Sequence, residues 1–131
     1  MSRLSIPAVA DAPVASRPLL AAVHKKLGVV PNLMKLLGQS PAALEGYLSL
    51  SGALDKGLLD AKLRESLALA VAEFNGCDYC LAAHSYIGKN LVKLSDEQIA
   101  QARDGHATDG RNAAALRFAR RVAAERGRVK D

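Results

Sequence analysis

Tryptophan is absent from this chain, and aromatic residues make up only 4% of it. Alanine and leucine fill the apolar positions instead, a bias that favours close-packed helices over a sheet. No window alternates apolar and polar residues cleanly between turn signals, so strands are not expected. Nor does any apolar run approach the roughly 18 residues that suggest a membrane-spanning helix. The longest, Leu67 to Ala72, stops at Glu73. Arg3 is basic, but the following Leu4-Ser5-Ile6-Pro7-Ala8 provides no continuous apolar stretch of the kind a secretion signal needs. The expectation is a cytoplasmic protein. Cysteine is scarce as well, with Cys77 and Cys80 the only two. In a reducing compartment such a close pair is a poor structural staple and points to redox chemistry or metal binding.

Half of the 131 residues are hydrophobic, enough for a packed core in one domain. The net charge of +5 is modest. Its densest cluster is Arg117, Arg120, Arg121, Arg126, Arg128 and Lys130. Without interleaved aromatics this reads as a solvated helix face and a basic tail, and no nucleic-acid partner is expected.

Residues 1–17, with Pro7 and Pro13 and no periodicity, are expected to form an irregular arm. Residues 18–131 read as one helical domain. Pro18 opens a first helix that Gly28 closes, and a short second helix lies between Pro31 and Gly38. Ser40-Pro41 is an N-cap followed by proline at the first helical position, starting a helix to about Lys56. Asp60 caps the next, which ends at Asn75-Gly76, and another runs from near Cys77 to about Leu91. Ser95 and Gln98 form a capping box for a helix ending at Gly105. The last helix spans about Asp109 to Arg126 and carries an apolar stripe, Ala115, Phe118, Ala119 and Val122, that either packs back on the domain or is covered by another subunit. The fold class is all-α, with about seven helices.

Chemistry concentrates in Glu73-Phe74-Asn75-Gly76-Cys77-Asp78-Tyr79-Cys80-Leu81-Ala82-Ala83-His84. On a helix, Cys77, Cys80 and His84 share one face, and Cys80 and His84 are neighbours one turn apart. The helix start near Cys77 supplies unpaired N–H groups that stabilise a thiolate, and an imidazole beside Cys80 can exchange its proton. Such surroundings can bring a thiol from about 8.5 toward neutrality. The two thiols can close a disulfide across one turn, giving an attacking and a resolving thiol. Upstream, Glu65 is flanked at helical spacing by Ala61, Ala68, Leu69 and Ala72. It should be partly buried, with a raised pKa if nothing compensates, and is a candidate proton acceptor or donor. Glu73 is the rival carboxylate, nearer in sequence but at a helix end. A structural salt bridge from Glu65 is the plainer alternative, and core packing is the plain reading of Tyr79. A zinc site would need His24 and His106 beside Cys77, Cys80 and His84, at spacings that follow no zinc pattern. No metal is expected.

Together, Leu63-Arg64-Glu65, Asn75-Gly76-Cys77-Asp78-Tyr79-Cys80 and His84 resemble the carboxymuconolactone decarboxylase superfamily, within it the alkylhydroperoxidase D-like, peroxidase-related branch. Gly28-Val29-Val30-Pro31-Asn32 resembles the same branch, and the likeness covers most of the chain from about residue 17. The resemblance implies an all-helical fold assembling as a homo-oligomer, a trimer or hexamer. It also implies thiol peroxidase or disulfide reductase activity on a hydroperoxide, with no bound cofactor and with electrons from a lipoyl-type dithiol or another thiol donor protein. By position, Cys80 would be the peroxidatic thiol, Cys77 the resolving one, and His84 with Glu65 the proton relay. Tyr79 stands where the founding peroxidase has His. Members of this branch continue with further helices after the stretch matching Ala113 to Glu125, so the chain is expected to be shorter at its C-terminal end. Superfamily decarboxylases do not need the cysteine pair, which argues against that activity here. A redox-sensing or disulfide reductase-type protein with little peroxidase activity is the second reading. Helix-start electrostatics favour Cys77 as the more acidic thiol, whereas the imidazole and the resemblance favour Cys80. The imidazole decides for Cys80, because it also supplies proton transfer.

Overall fold

A computed structural model describes residues 4–130. Among them are seven α-helices and no strand: α1 (Arg17–Leu27), α2 (Asn32–Leu37), α3 (Pro41–Leu54), α4 (Ala61–Phe74), α5 (Asp78–Ile87), α6 (Asp96–Arg103) and α7 (Gly110–Ala124). The all-α, seven-helix reading is what the chain adopts. It divides into two compact units, Met1–Lys56 and Gly57–Asp131.

The first unit contains α1 to α3. The described part of the segment expected to be irregular includes two 3-10 turns, Val9–Asp11 and Val14–Ser16; residues 1–3 of that expectation lie outside the described residues. Ser16 is fully buried, and its hydroxyl donates to the Gly38 carbonyl at 2.6 Å. Left unpaired there, it would cost about 1–3 kcal/mol. Leu20 and Val23, one turn apart on α1, join Ala12, Val30, Met34 and Leu44 in an aliphatic core. Ser40 caps α3 by accepting from the Ala43 N–H, with Pro41 at the first helical position.

The second unit is built on α4, which packs against α5, α6 and α7. Its start is set by Asp60, whose carboxylate accepts from the Leu63 N–H at 2.8 Å. Leu63, Leu69, Ala70 and Ala72 are its buried residues. Leu69 clusters with Leu94, Ile99 and Ala102, and Leu81 of α5 packs against them. After Ile87 the helix widens into one π turn, Gly88–Val92, closed by Lys93 at φ 63° and by a Leu94 N–H bond to the Gly88 carbonyl. That closure brings Leu94 into the core beside Gly88, where a Cβ would already lie 3.2 Å from a Leu94 methyl. The Ser95/Gln98 capping box opens α6 as expected. Gly105 follows α6 at φ 76°, directly under the Arg120 side chain, which donates to the Asp104 carbonyl.

Of two expectations about packing, the first is narrowed, since the α7 stripe does not pack back on the domain, and the second is corrected. On α7 the fully buried residue is Leu116, whereas Phe118 of the expected stripe is 61% exposed. Burial against α4 therefore centres on a neighbouring line of the helix. Tyr79 is not packed in a core but exposed, as are Tyr47, Phe74, Tyr86 and Phe118. All five aromatics lie at the surface, and both cores are aliphatic.

Candidate functional site

After Phe74, α4 ends with Asn75 and then Gly76 at φ 62°, a left-handed turn that glycine adopts without strain. The reversal is pinned by the Cys77 N–H bonding back to the Ala72 carbonyl at 3.0 Å. It delivers Cys77 to the N-cap of α5, with φ −93° and ψ 88°. Cys77 is thus the cap rather than a member of the helical stripe. Its Sγ accepts a hydrogen bond from the Cys80 backbone N–H at 3.3 Å. Cys77 and Cys80 are joined in a disulfide, with their Cα atoms 5.3 Å apart. The structure is therefore that of the oxidised chain. Both cysteines are half-buried.

One turn beyond Cys80, His84 reaches across to α4. Its Nδ1 lies 2.8 Å from Glu65 Oε2, with the two side chains 34% and 17% exposed. Glu65 is partly buried, as its alanine and leucine neighbours required, and the His84 ring gives its carboxylate a hydrogen-bond partner. An ionised carboxylate can only accept, so Nδ1 donates and Nε2 is left as an acceptor. The imidazole is thereby oriented by a carboxylate on a second helix, an arrangement that serves proton transfer. Among the described residues no side-chain hydrogen bond joins the His84 ring to the Cys80 sulfur: Nδ1 is engaged by Glu65, and the sulfur is in the disulfide.

Glu73 takes no part in this cluster. Its carboxylate pairs with Arg103 Nε at 2.6 Å, and this hydrogen bond holds the guanidinium above its ordinary pKa. His24 and His106 are exposed. Among the described residues no three His, Cys, Asp or Glu side chains are grouped so as to hold a metal ion. The second unit carries clefts away from the cysteines. A polar one of about 190 Å³ is lined by residues that include Asp60, Lys62, His106 and Asn112. A smaller one lies at Glu73 and Arg103. Neither is lined by Glu65, Cys77, Cys80 or His84.

The model of the carboxymuconolactone decarboxylase family matches residues 41–125, a span that contains all four of these residues. This chain belongs to the carboxymuconolactone decarboxylase family. Within it the fold is AhpD-like. A crystal structure from Ralstonia eutropha JMP134, described as an alkylhydroperoxidase AhpD core and an uncharacterized peroxidase-related protein, matches with a TM-score of 0.80 and 29% identity. The match covers 99% of this chain and 70% of that one. An uncharacterized Haemophilus influenzae protein is 46% identical over 48 residues, a stretch spanning 36% of this chain and 42% of that relative. Among the described residues, no helix of this family member is long and apolar enough to cross a membrane.

The cap position of Cys77 was the feature of the site least visible in the sequence. Asn75-Gly76 signals a turn, but not the residue on which the next helix starts.

Proposed function

We propose that this chain is a thiol peroxidase that reduces hydroperoxides through the Cys77/Cys80 dithiol–disulfide cycle. The observation that carries the reading is the Glu65–His84 pair at 2.8 Å, placed on two packed helices one turn from a half-buried disulfide. A disulfide that served only as a staple would not need an oriented base beside it.

In the oxidative half, His84 Nε2 takes the proton of the Cys80 thiol. The thiolate attacks the terminal peroxide oxygen, the O–O bond breaks, and the alkoxide leaves as an alcohol with the proton returned by His84. Cys80 is now a sulfenic acid. The Cys77 thiolate attacks Cys80 Sγ, displacing hydroxide, which takes up a proton from solvent to leave as water, and the disulfide forms. A dithiol donor then reduces the disulfide and is itself oxidised to a disulfide. Glu65 stabilises the imidazolium in each protonated stage, and its contribution with His84 is the usual range of general acid–base catalysis, about 10²–10⁴-fold.

The donor is a protein-borne lipoyl-type dithiol or another thiol protein, the enzyme works as a homo-oligomer, a trimer or hexamer, and its place is the cytoplasm. No bound cofactor enters the scheme. The test is peroxide consumption with dihydrolipoamide, with mass spectrometry of the Cys77/Cys80 state before and after. Turnover with cycling between dithiol and disulfide supports the reading. Thiol–disulfide exchange without peroxide consumption would favour the redox-sensing or disulfide reductase reading.

A further inference from the structure

We infer that the two sulfurs divide the reductive half-reaction unequally: the incoming thiol attacks Cys80 Sγ, and Cys77 Sγ departs as the thiolate. The inference rests on the reading of the pair as a cycling disulfide and adds the direction in which it opens.

A disulfide opens when a thiolate attacks one sulfur in line with the S–S bond. The other sulfur takes the electron pair, and the better-stabilised thiolate leaves faster. The two sulfurs of this bond differ in what surrounds them. Cys77 Sγ occupies the N-cap of α5 and already accepts the Cys80 N–H at 3.3 Å. When the bond breaks, the negative charge develops where a backbone N–H points at it and where the helix's positive end lies. Cys80 sits inside the first turn, and among the described residues its sulfur accepts no corresponding hydrogen bond. Asp78, the first residue of α5, opposes the Cys77 thiolate. Its carboxylate is solvent-exposed and therefore screened, whereas the N–H bond to sulfur is direct.

His84 fits the other half of this division. Attack on Cys80 leaves a mixed disulfide between Cys80 and the donor. The donor's second thiol gives its proton to His84 Nε2 and, as thiolate, attacks the donor sulfur of that bond, and the pair of electrons goes to Cys80 Sγ. Its thiolate takes a proton from His84, whose ring is held by Glu65. The donor leaves as a disulfide, two electrons have entered the protein, and both cysteines are reduced. Cys77 is thus the stable thiolate in both directions. It attacks the Cys80 sulfenic acid during oxidation and departs from Cys80 during reduction. The competing claims of the helix N-terminus on Cys77 and the imidazole on Cys80 are met by two different roles.

The full-length oxidised chain, mixed briefly with glutathione and quenched with excess N-ethylmaleimide, reports the direction of opening. Fragment ions that break between Cys77 and Cys80 locate each label. The expected product carries glutathione on Cys80 and maleimide on Cys77. Glutathione mainly on Cys77, or shared equally, would overturn the inference. If the mixed disulfide is too short-lived to isolate, thiolate absorbance in the single variants decides. The Cys77 thiol in Cys80→Ser should ionise at lower pH than the Cys80 thiol in Cys77→Ser, and the opposite order overturns the inference. Neither measurement uses peroxide. A chain that opens as described but consumes no hydroperoxide would refute the peroxidase reading alone.

Discussion

His84 Nδ1 is 2.8 Å from Glu65 Oε2, a hydrogen bond between residues 19 apart in sequence that ties the helix carrying Cys80 to the helix before it. Neither residue is next to the other in any local pattern. Their meeting depends on α4 packing against α5. With the carboxylate ionised, Nδ1 is the donor, and in the proposed cycle Nε2 serves the thiol.

The first prediction follows from that bond. Glu65→Gln should keep the helical fold by circular dichroism but slow the reaction of the reduced protein with peroxide, by about 10²–10⁴-fold. Glu73→Gln should leave that rate unchanged, since it breaks only an exposed ion pair worth about 1 kcal/mol at most. Stopped-flow measurement of both variants separates the two carboxylates. Equal losses would mean that Glu65 acts through general charge rather than through His84.

A second prediction concerns stability. Leu69 and Leu116 are fully buried, so Leu69→Ala and Leu116→Ala should each lower the unfolding free energy by about 2–5 kcal/mol in urea titration. Phe118→Ala should cost far less in the isolated chain, because Phe118 is 61% exposed. A large loss for Phe118→Ala at low protein concentration would mean that this ring is covered within one chain.

The same exposure gives a third prediction. Phe118 and Val122 lie one turn apart on α7 and are both exposed apolar residues. Light scattering should report at least a trimer, and Phe118→Asp with Val122→Asp should shift it toward smaller species. A concentration-independent monomer of the unaltered chain would contradict homo-oligomer formation.

Much of the fold was legible because helix ends are written in single residues. Ser40, Asp60, Ser95 with Gln98, and Asp109 each cap a helix in the structure, and Gly28 and Gly105 lie at positive φ where they close one. What escaped depends on three-dimensional packing. The π turn at 88–92 exists because Leu94 must reach the core beside Gly88, and no local periodicity announces that. That the line of α7 packed against α4 centres on Leu116 was not legible either, because alanine-rich sequence allows several stripes and only contact with α4 selects one. In the site, the spacing of Cys77, Cys80 and His84 was readable. The role of Glu65 as the partner of His84 came from family resemblance rather than spacing. The cap position of Cys77 required knowing that Gly76 turns left-handed and that the helix starts one residue later.

In the proposed cycle Cys80 is the sulfur that meets peroxide, and trapping its sulfenic acid tests this most directly. Reduced Cys77→Ser and Cys80→Ser variants would be treated with stoichiometric hydroperoxide in the presence of a dimedone-type probe, and the label located by peptide mapping. Cys77→Ser should react once and carry the label on Cys80, since the sulfenic acid has no thiol with which to close. Cys80→Ser should carry far less label, because a serine hydroxyl is a weak nucleophile at neutral pH and the stabilised Cys77 thiolate is a poorer nucleophile with no adjacent acid to protonate the departing alkoxide. Label on Cys77 in Cys80→Ser, with none on Cys80 in Cys77→Ser, would contradict the account and make the helix-cap sulfur the peroxidatic thiol.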